Sequence, residues 1–213
     1  MTADSLAAWR RVRQQVDWAC AVDETPGPVR PAVDGLAAWC VAGGRASDPD
    51  RGGRLLVALA SSRTAASRQR SLDYTLLAEW QRHVLGLPEV SFRQGEAFAK
   101  SGRERYGLTP HTQQDFEHCL YDSADARIPL ASRAARAYLD VAFFHPFPDG
   151  NARLAMLALA HVLELGGVRL DQVHPLQTTR HADDAAGAAD LAVLVAVLIR
   201  SSRRRAEGRT ESG

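Results

Sequence analysis

His145-Pro146-Phe147-Pro148-Asp149-Gly150-Asn151-Ala152-Arg153 lies between two apolar-periodic stretches, Leu130 to Phe144 and Leu154 to Leu165. Pro146 disfavours helical dihedrals in the residue before it, so the first helix is expected to stop near His145. Pro148-Asp149-Gly150-Asn151 carries turn chemistry: one fixed φ, two short polar side chains and a glycine free to take positive φ. An Asp or Asn beside an apolar-periodic run also marks a helix start. The stretch therefore sets an imidazole at the end of one helix and a Gly-Asn turn at the beginning of the next.

That arrangement suits phosphate chemistry. The first amides of a helix lack intrahelical acceptors, and the macrodipole favours negative charge beside them. Gly150 permits close backbone approach, Asn151 offers a side-chain amide, and Arg153 offers a forked cation. Asp149 is a candidate ligand for a Mg²⁺ that bridges phosphate oxygens. His145 is the residue type that takes a proton from a hydroxyl near neutral pH. The same residue types also fit a plain connector between two helices, with the histidine as its cap, and residue chemistry alone leaves both readings open.

The stretch resembles the active-site motif of the Fic family, H-P-F-x-[D/E]-G-N-G-R-x-x-R. Seven of the nine fixed positions are present: His145, Pro146, Phe147, Asp149, Gly150, Asn151 and Arg153. The resemblance implies an all-α fold, a Fic-like helical core with a small β-hairpin flap. It also implies transfer of a nucleotide monophosphate, AMP from ATP, onto a hydroxyl of a protein or small molecule. The implied roles are His145 as general base, Asp149 as Mg²⁺ ligand, and Gly150, Asn151 and Arg153 as the phosphate cradle, with Ala152 contributing its amide. Two positions depart from the pattern. Ala152 stands where the family has Gly, and Met156 stands where it has a second Arg. Met156 cannot make a charge-assisted phosphate contact of roughly 1.5–3 kcal/mol and is expected in the core. The departures keep two alternatives open: a phosphate-containing donor other than ATP, or a catalytically degenerate Fic-fold binding module. The reverse, hydrolytic reaction is a third. It is weakened by the missing inhibitory signature [S/T]-x-x-x-E-[G/N]: Ser62 to Ser67 has Ala66 in place of Glu, and Thr75 to Trp80 has Trp after Glu79. Glu207-Gly208 has no Ser or Thr at the required spacing.

Upstream of the motif, Val90-Ser91-Phe92-Arg93, Gly95, Phe98 and Gly102 to Gly107 alternate around glycines, a pattern that fits a surface loop or a hairpin. The resemblance makes this the flap, and Phe92 and Arg93 its target-docking residues. Lys100, Arg103 and Arg105 make it basic. Residues 3 to 21 read as an amphipathic helix capped by Thr2 or Asp4. Residues 22 to 54 are rich in Pro and Gly and read as irregular chain with one short helix or strand. Further helices are expected over Leu72 to Leu85, Pro110 to Tyr121, Arg127 to Phe144 and Ala182 to Arg200. His161 is expected in the core with Glu164 as partner, and His174 and His181 in loops. The organisation expected is residues 1–66 as a helical and looped extension packed on the core, 67–200 as the Fic-like core, and 201–213 as a disordered basic tail.

Composition bounds the rest. The chain has 213 residues, 46% of them hydrophobic, enough for one well-buried domain. A formal net charge of +1 provides no global field for nucleic acid or membrane. Lys100 is the only lysine among 26 basic residues, a pattern of coding bias. The arginines from Arg200 to Arg209 are not interleaved with aromatics, so nucleic acid is not the expected partner. Cys20, Cys40 and Cys119 form no C-x-x-C pair, no leader is read at the N-terminus, and no apolar run reaches the ~18–20 residues of a membrane span. These features point to a cytoplasmic protein without a membrane partner.

Overall fold

The computed structural model describes residues 3–21, 27–43, 48–178 and 184–210. The two stretches that flank the motif become its central helices, α6 (Leu130–Phe144) and α7 (Asn151–Leu165), which pack on each other. Eleven residues of α6 and eleven of α7 are buried, so both are apolar nearly all round, as the innermost layer of a helical domain requires. Around this pair lie α3 (Arg51–Ser67) against α7, α4 (Tyr74–Leu85) against α3 and α7, and α9 (Ala185–Thr210) against α6. α5 (Thr112–Tyr121) and a 3-10 turn at Asp122–Ala124 lean on α6, and α2 (Gly35–Ala42) leans on α3. α1 (Ser5–Val12) contacts α6, and the five-residue α8 (His174–Thr178) contacts α9. The sheet is one antiparallel hairpin, β1 (Ala97–Ala99) with β2 (Glu104–Tyr106), in the register Ala97 to Tyr106 and Ala99 to Glu104. The expected class, all-α with a small hairpin, is the observed one.

Local chemistry sets most boundaries. Asp4, Asp34 and Asp73 accept first-turn amides of α1, α2 and α4 as N-caps. α4 ends at Gly86, whose φ of +67° is the left-handed cap that a glycine adopts without strain.

Several expectations need correction. The first helix is eight residues rather than a run to residue 21, because the chain turns at Arg13. α7 begins at Asn151, ahead of its apolar stripe, since the Gly150 carbonyl already accepts the amides of Arg153 and Leu154. Residues 201–210, expected as part of a disordered basic tail, are helical: α9 continues to Thr210. Its extension is tied down where buried Ser202 donates to Asp171 and Arg205 pairs with the same carboxylate. His174 lies in α8, and His181 is outside the described residues. The partners of buried His161 are the carbonyls of Ser62 and Arg70, not Glu164. It therefore pins the end of α3 to the segment before α4.

One apolar cluster runs from Leu6 to Ile199, so the N-terminal segment and the central helices share a core. The junction drawn between residues 66 and 67 falls within the last turn of α3. α9 is long and apolar enough to cross a membrane by length and composition. Its Ala188, Leu191, Ala192, Val195 and Ile199 are nevertheless buried in this cluster, which is what a core helix does.

A buried ion network seats α1. The carboxylate of Asp140 on α6, fully buried, accepts from Trp9 Nε1 at 3.0 Å and from Arg13 Nε and Nη2 at 2.7 and 3.0 Å. Arg13 also reaches Asp122 and the carbonyl of Cys119. Burial opposes the Arg13 charge, yet the Asp140 carboxylate more than offsets that and raises its proton affinity. Trp9 then stacks on Phe143, whose neighbour across the hairpin is Tyr106. The N-terminal helix thus braces the end of α6 and the hairpin, the two elements that frame His145.

Candidate active site

α6 stops where the sequence predicts, and His145 is its left-handed C-cap with φ +46°. Only a few per cent of non-glycine residues hold positive φ, so this backbone is held by its surroundings. The ring is held as well. Nδ1 lies 2.6 Å from the carbonyl of Ala142, one of the C-terminal carbonyls a helix leaves unpaired. A carbonyl only accepts, so Nδ1 carries the proton and Nε2 keeps its lone pair. Tyr106 of β2 stacks on the imidazole at 4.1 Å and 17°. The ring is half-buried rather than enclosed. Burial pushes its pKa below the ordinary 6.5, against the bond to Ala142 and the charge of Glu104, and Arg93 adds to the depression. The imidazole is therefore neutral at pH 7, the form a general base needs.

The loop after it closes on one side chain. Asn151 is buried, its Oδ1 accepting from the amide of Phe147 at 3.0 Å and its Nδ2 donating to the carbonyl of the same residue at 2.7 Å. This corrects the sequence-derived role: the Asn151 carboxamide is spent on the loop, and its contribution to a phosphate cradle is the backbone amide. Removing it frees a buried N–H and C=O. We expect Asn151→Ala to cost about 2–3 kcal/mol, read as a lower midpoint in urea unfolding.

Gly150 makes the reversal at φ +79°. A Cβ there would come within 2.8 Å of Gln81 Nε2 and 3.2 Å of Val84 and Leu85 side-chain carbons, so α4 leaves room only for glycine. Gln81, buried, donates to the carbonyl of Asp149 at 2.6 Å and fixes the turn from the α4 side. The amides of Asn151 and Ala152 have no acceptor among the described residues, and Ala152 is exposed. Two amides without acceptors thus stand at the N-terminus of a fifteen-residue helix, where the dipole favours negative charge. Ala152 takes no part beyond its amide, because it is helical and its methyl faces out.

Asp149 stands at the rim with its side chain 81% exposed, its Oδ1 accepting from the Gly150 amide and its Oδ2 3.3 Å from Arg153 Nη2. Arg153 is less free than the sequence suggests. Its side chain is 14% exposed and also donates to the Val84 carbonyl at the end of α4. Burial, and after it the nearby charge of Arg51, lowers its proton affinity. Met156 is 2% exposed, in the core as expected.

Phe92 and Arg93, expected as target-docking residues, have side chains turned inward. Phe92 is buried among Tyr74 and Phe116, and Arg93 is 4% exposed. The guanidinium of Arg93 donates to the carbonyls of Phe144, Gly95 and Gly107, and its amide donates to Pro146. It fastens the base of the hairpin to the motif loop. The hairpin proper is residues 97 to 106, with Phe98 outward and Tyr106 buried. Sequence reading gave no role to Gln81 or Tyr106, which act across the fold.

Residues 71–163 match the model of the Fic/DOC family. Among solved structures, the chain is similar to a Fic-1 fragment from C. elegans, with 17% identity and a TM-score of 0.58 over 97% of this chain and 67% of that one. It is similar also to a Fic-domain-containing signaling protein from Bacteroides thetaiotaomicron, with 19% identity and a TM-score of 0.56 over 78% and 76%. A third is an IbpA Fic2 structure in complex with adenylylated Cdc42, with 10% identity and a TM-score of 0.58 over 92% and 69%. At these identities the likeness is one of fold. No curated protein matches the chain. The Fic/DOC family model thus covers the motif and both of its flanking helices, α7 as far as Leu163, on a fold that these solved structures share.

Proposed function

We propose that the protein is a Fic-type transferase that moves AMP from ATP onto a hydroxyl of a protein acceptor. The observation that carries this is His145: Nδ1 is committed to Ala142, and Nε2 is left basic in the residue that ends α6, six positions before the first open amide of α7. The acceptor hydroxyl attacks the α-phosphorus of the nucleotide and gives its proton to Nε2. The bond from that phosphorus to the bridging oxygen breaks, and pyrophosphate leaves with the electron pair. The amides of Asn151 and Ala152, with the α7 dipole, stabilise charge gathering on the α-phosphate oxygens. Arg153 reinforces that field from the side.

Among the described residues no three His, Cys, Asp or Glu side chains gather into a metal cluster. Mg²⁺ needs no such cluster when phosphates and water complete its shell, and the exposed carboxylate of Asp149 suits that use. Bound there, the ion would neutralise phosphate charge. The solved neighbour that holds an adenylylated protein supports a protein acceptor.

The test is transfer of label from α-labelled ATP to candidate acceptor proteins, followed against pH. The depressed His145 pKa predicts that kcat/KM falls on the acid side with a midpoint below 6.5, so activity is level from pH 7 upward. An acid limb centred above 7 would contradict a buried neutral base. Labelled transfer with other nucleotides but not ATP would reassign the donor.

A further inference from the structure

Beside the motif, a cleft of about 780 Å³ opens between the first turns of α3 and the last turn of α4. Arg54 and Val57 line it from α3, Arg82 and His83 from α4, and Leu87 and Pro88 close its end. We infer that this cleft is an oligophosphate site, held by Arg54 and Arg82 of its lining and by Arg51 and the motif's Arg153 beside it.

The charges are arranged in excess. Asp48 is engaged by Arg54 at 2.6 Å and Asp149 by Arg153 at 3.3 Å. Arg51 and Arg82 have no carboxylate within ion-pair distance among the described residues. Asp50 is the one acidic residue in the cleft lining. The Nε atoms of Arg51 and Arg54 are buried without a partner. Arg51 and Arg54 stand three residues apart on one face of α3, close enough to Arg153 for both to depress its proton affinity after burial has done so. Guanidinium groups held together at a concave surface, with donors unused, fit a ligand that brings several negative oxygens at once.

The cleft adjoins the motif through one helical turn. Gln81, Val84 and Leu85 of α4 press on Gly150, while Arg82, His83 and Gly86 of the same turn line the cleft. Arg54 lies over Gly86, and Arg153 reaches the carbonyl of Val84. Its ligand is either the phosphate tail of the donor, which rests on the proposed transferase reading, or a free polyanion. In the first case the α3 arginines supply cationic charge that Met156 does not.

The experiment is calorimetric titration of the full chain with sodium tripolyphosphate, ATP and AMP. The variants are Arg51→Gln, Arg82→Gln and their double, chosen because neither residue holds an acid and their loss strands none. We expect the double variant, melting within about 2 °C of the parent, to bind tripolyphosphate and ATP at least about tenfold more weakly, with AMP changed less than twofold. Competition between tripolyphosphate and ATP assigns the cleft to the donor tail, and simultaneous binding assigns it to a free polyanion. A parent that takes up no tripolyphosphate at millimolar concentration, or a double variant that binds it unchanged, overturns the proposal. Tripolyphosphate binding lost in the double variant, in a protein that transfers no label, keeps the cleft and removes the transferase reading.

Discussion

His145→Ala is expected to lower kcat for label transfer by roughly 10²–10⁴ while leaving nucleotide affinity within a few fold. The imidazole ends α6, at the head of the loop that leads to the α7 N-terminus. Its Nδ1 is occupied by Ala142, its face is occupied by Tyr106, and its remaining nitrogen alone is available to a hydroxyl. Alanine removes the proton acceptor but leaves the backbone amides of Asn151 and Ala152 in place, so binding survives where turnover does not. Alanine also takes over an αL backbone at φ +46°, which costs it about 1 kcal/mol or more. His145→Asn, better suited to αL, separates the two effects. Equal slowing in both variants with unchanged melting assigns the loss to proton transfer. Transfer at the parent's rate in either variant would remove His145 from the chemistry.

The largest stability effect is expected at Asp140. Asp140→Ala leaves Arg13 inside the protein with half its partners, takes the acceptor from Trp9 Nε1, and should cost about 3–5 kcal/mol. For a domain with ordinary stability of roughly 5–15 kcal/mol, this brings the chain close to unfolding at 37 °C. The isosteric pair Arg13→Met with Asp140→Leu removes both charges together. It should recover much of the loss, though not the Trp9 and Asp122 contacts. Chemical denaturation of the two variants measures this, and an Asp140→Ala variant within about 1 kcal/mol of the parent would show the network to be incidental. The effect should extend to the site. Trp9 stacks on Phe143, and Asp4 accepts from the amide of Gly107 beside Tyr106, so loosening α1 releases the support behind the His145 ring.

The motif was readable because its geometry is local. Proline before and after Phe147, a glycine at a forced reversal, and apolar periodicity on both sides are properties of neighbouring residues, and they place His145 and the α7 N-terminus without reference to the rest of the chain. The capping aspartates at 4, 34 and 73 are local in the same way. The roles of polar side chains were not local. Asn151, Arg93 and Arg153 each carry donors that a phosphate or a target peptide would use, and sequence reading assigned them outward. Packing turned Asn151 and Arg93 inward, onto carbonyls that would otherwise be buried without partners.

The tail shows the same division. Arg200 to Arg209 reads as a fraying basic end, because no apolar stripe holds a helix there. Asp171, some thirty residues earlier in the chain, supplies the anchor through Ser202 and Arg205. Sequence alone determined the position of the central turn and the residue that ends α6, since backbone sterics and side-chain periodicity act over a few residues, and it implied the class of fold through the motif's resemblance. Tertiary structure decided that Arg93 fastens the hairpin to the motif loop, that Arg13 reaches Asp140, and that Arg51 of α3 comes beside Arg153. Those outcomes depend on partners 50 to 130 residues apart, and no local rule brings them together.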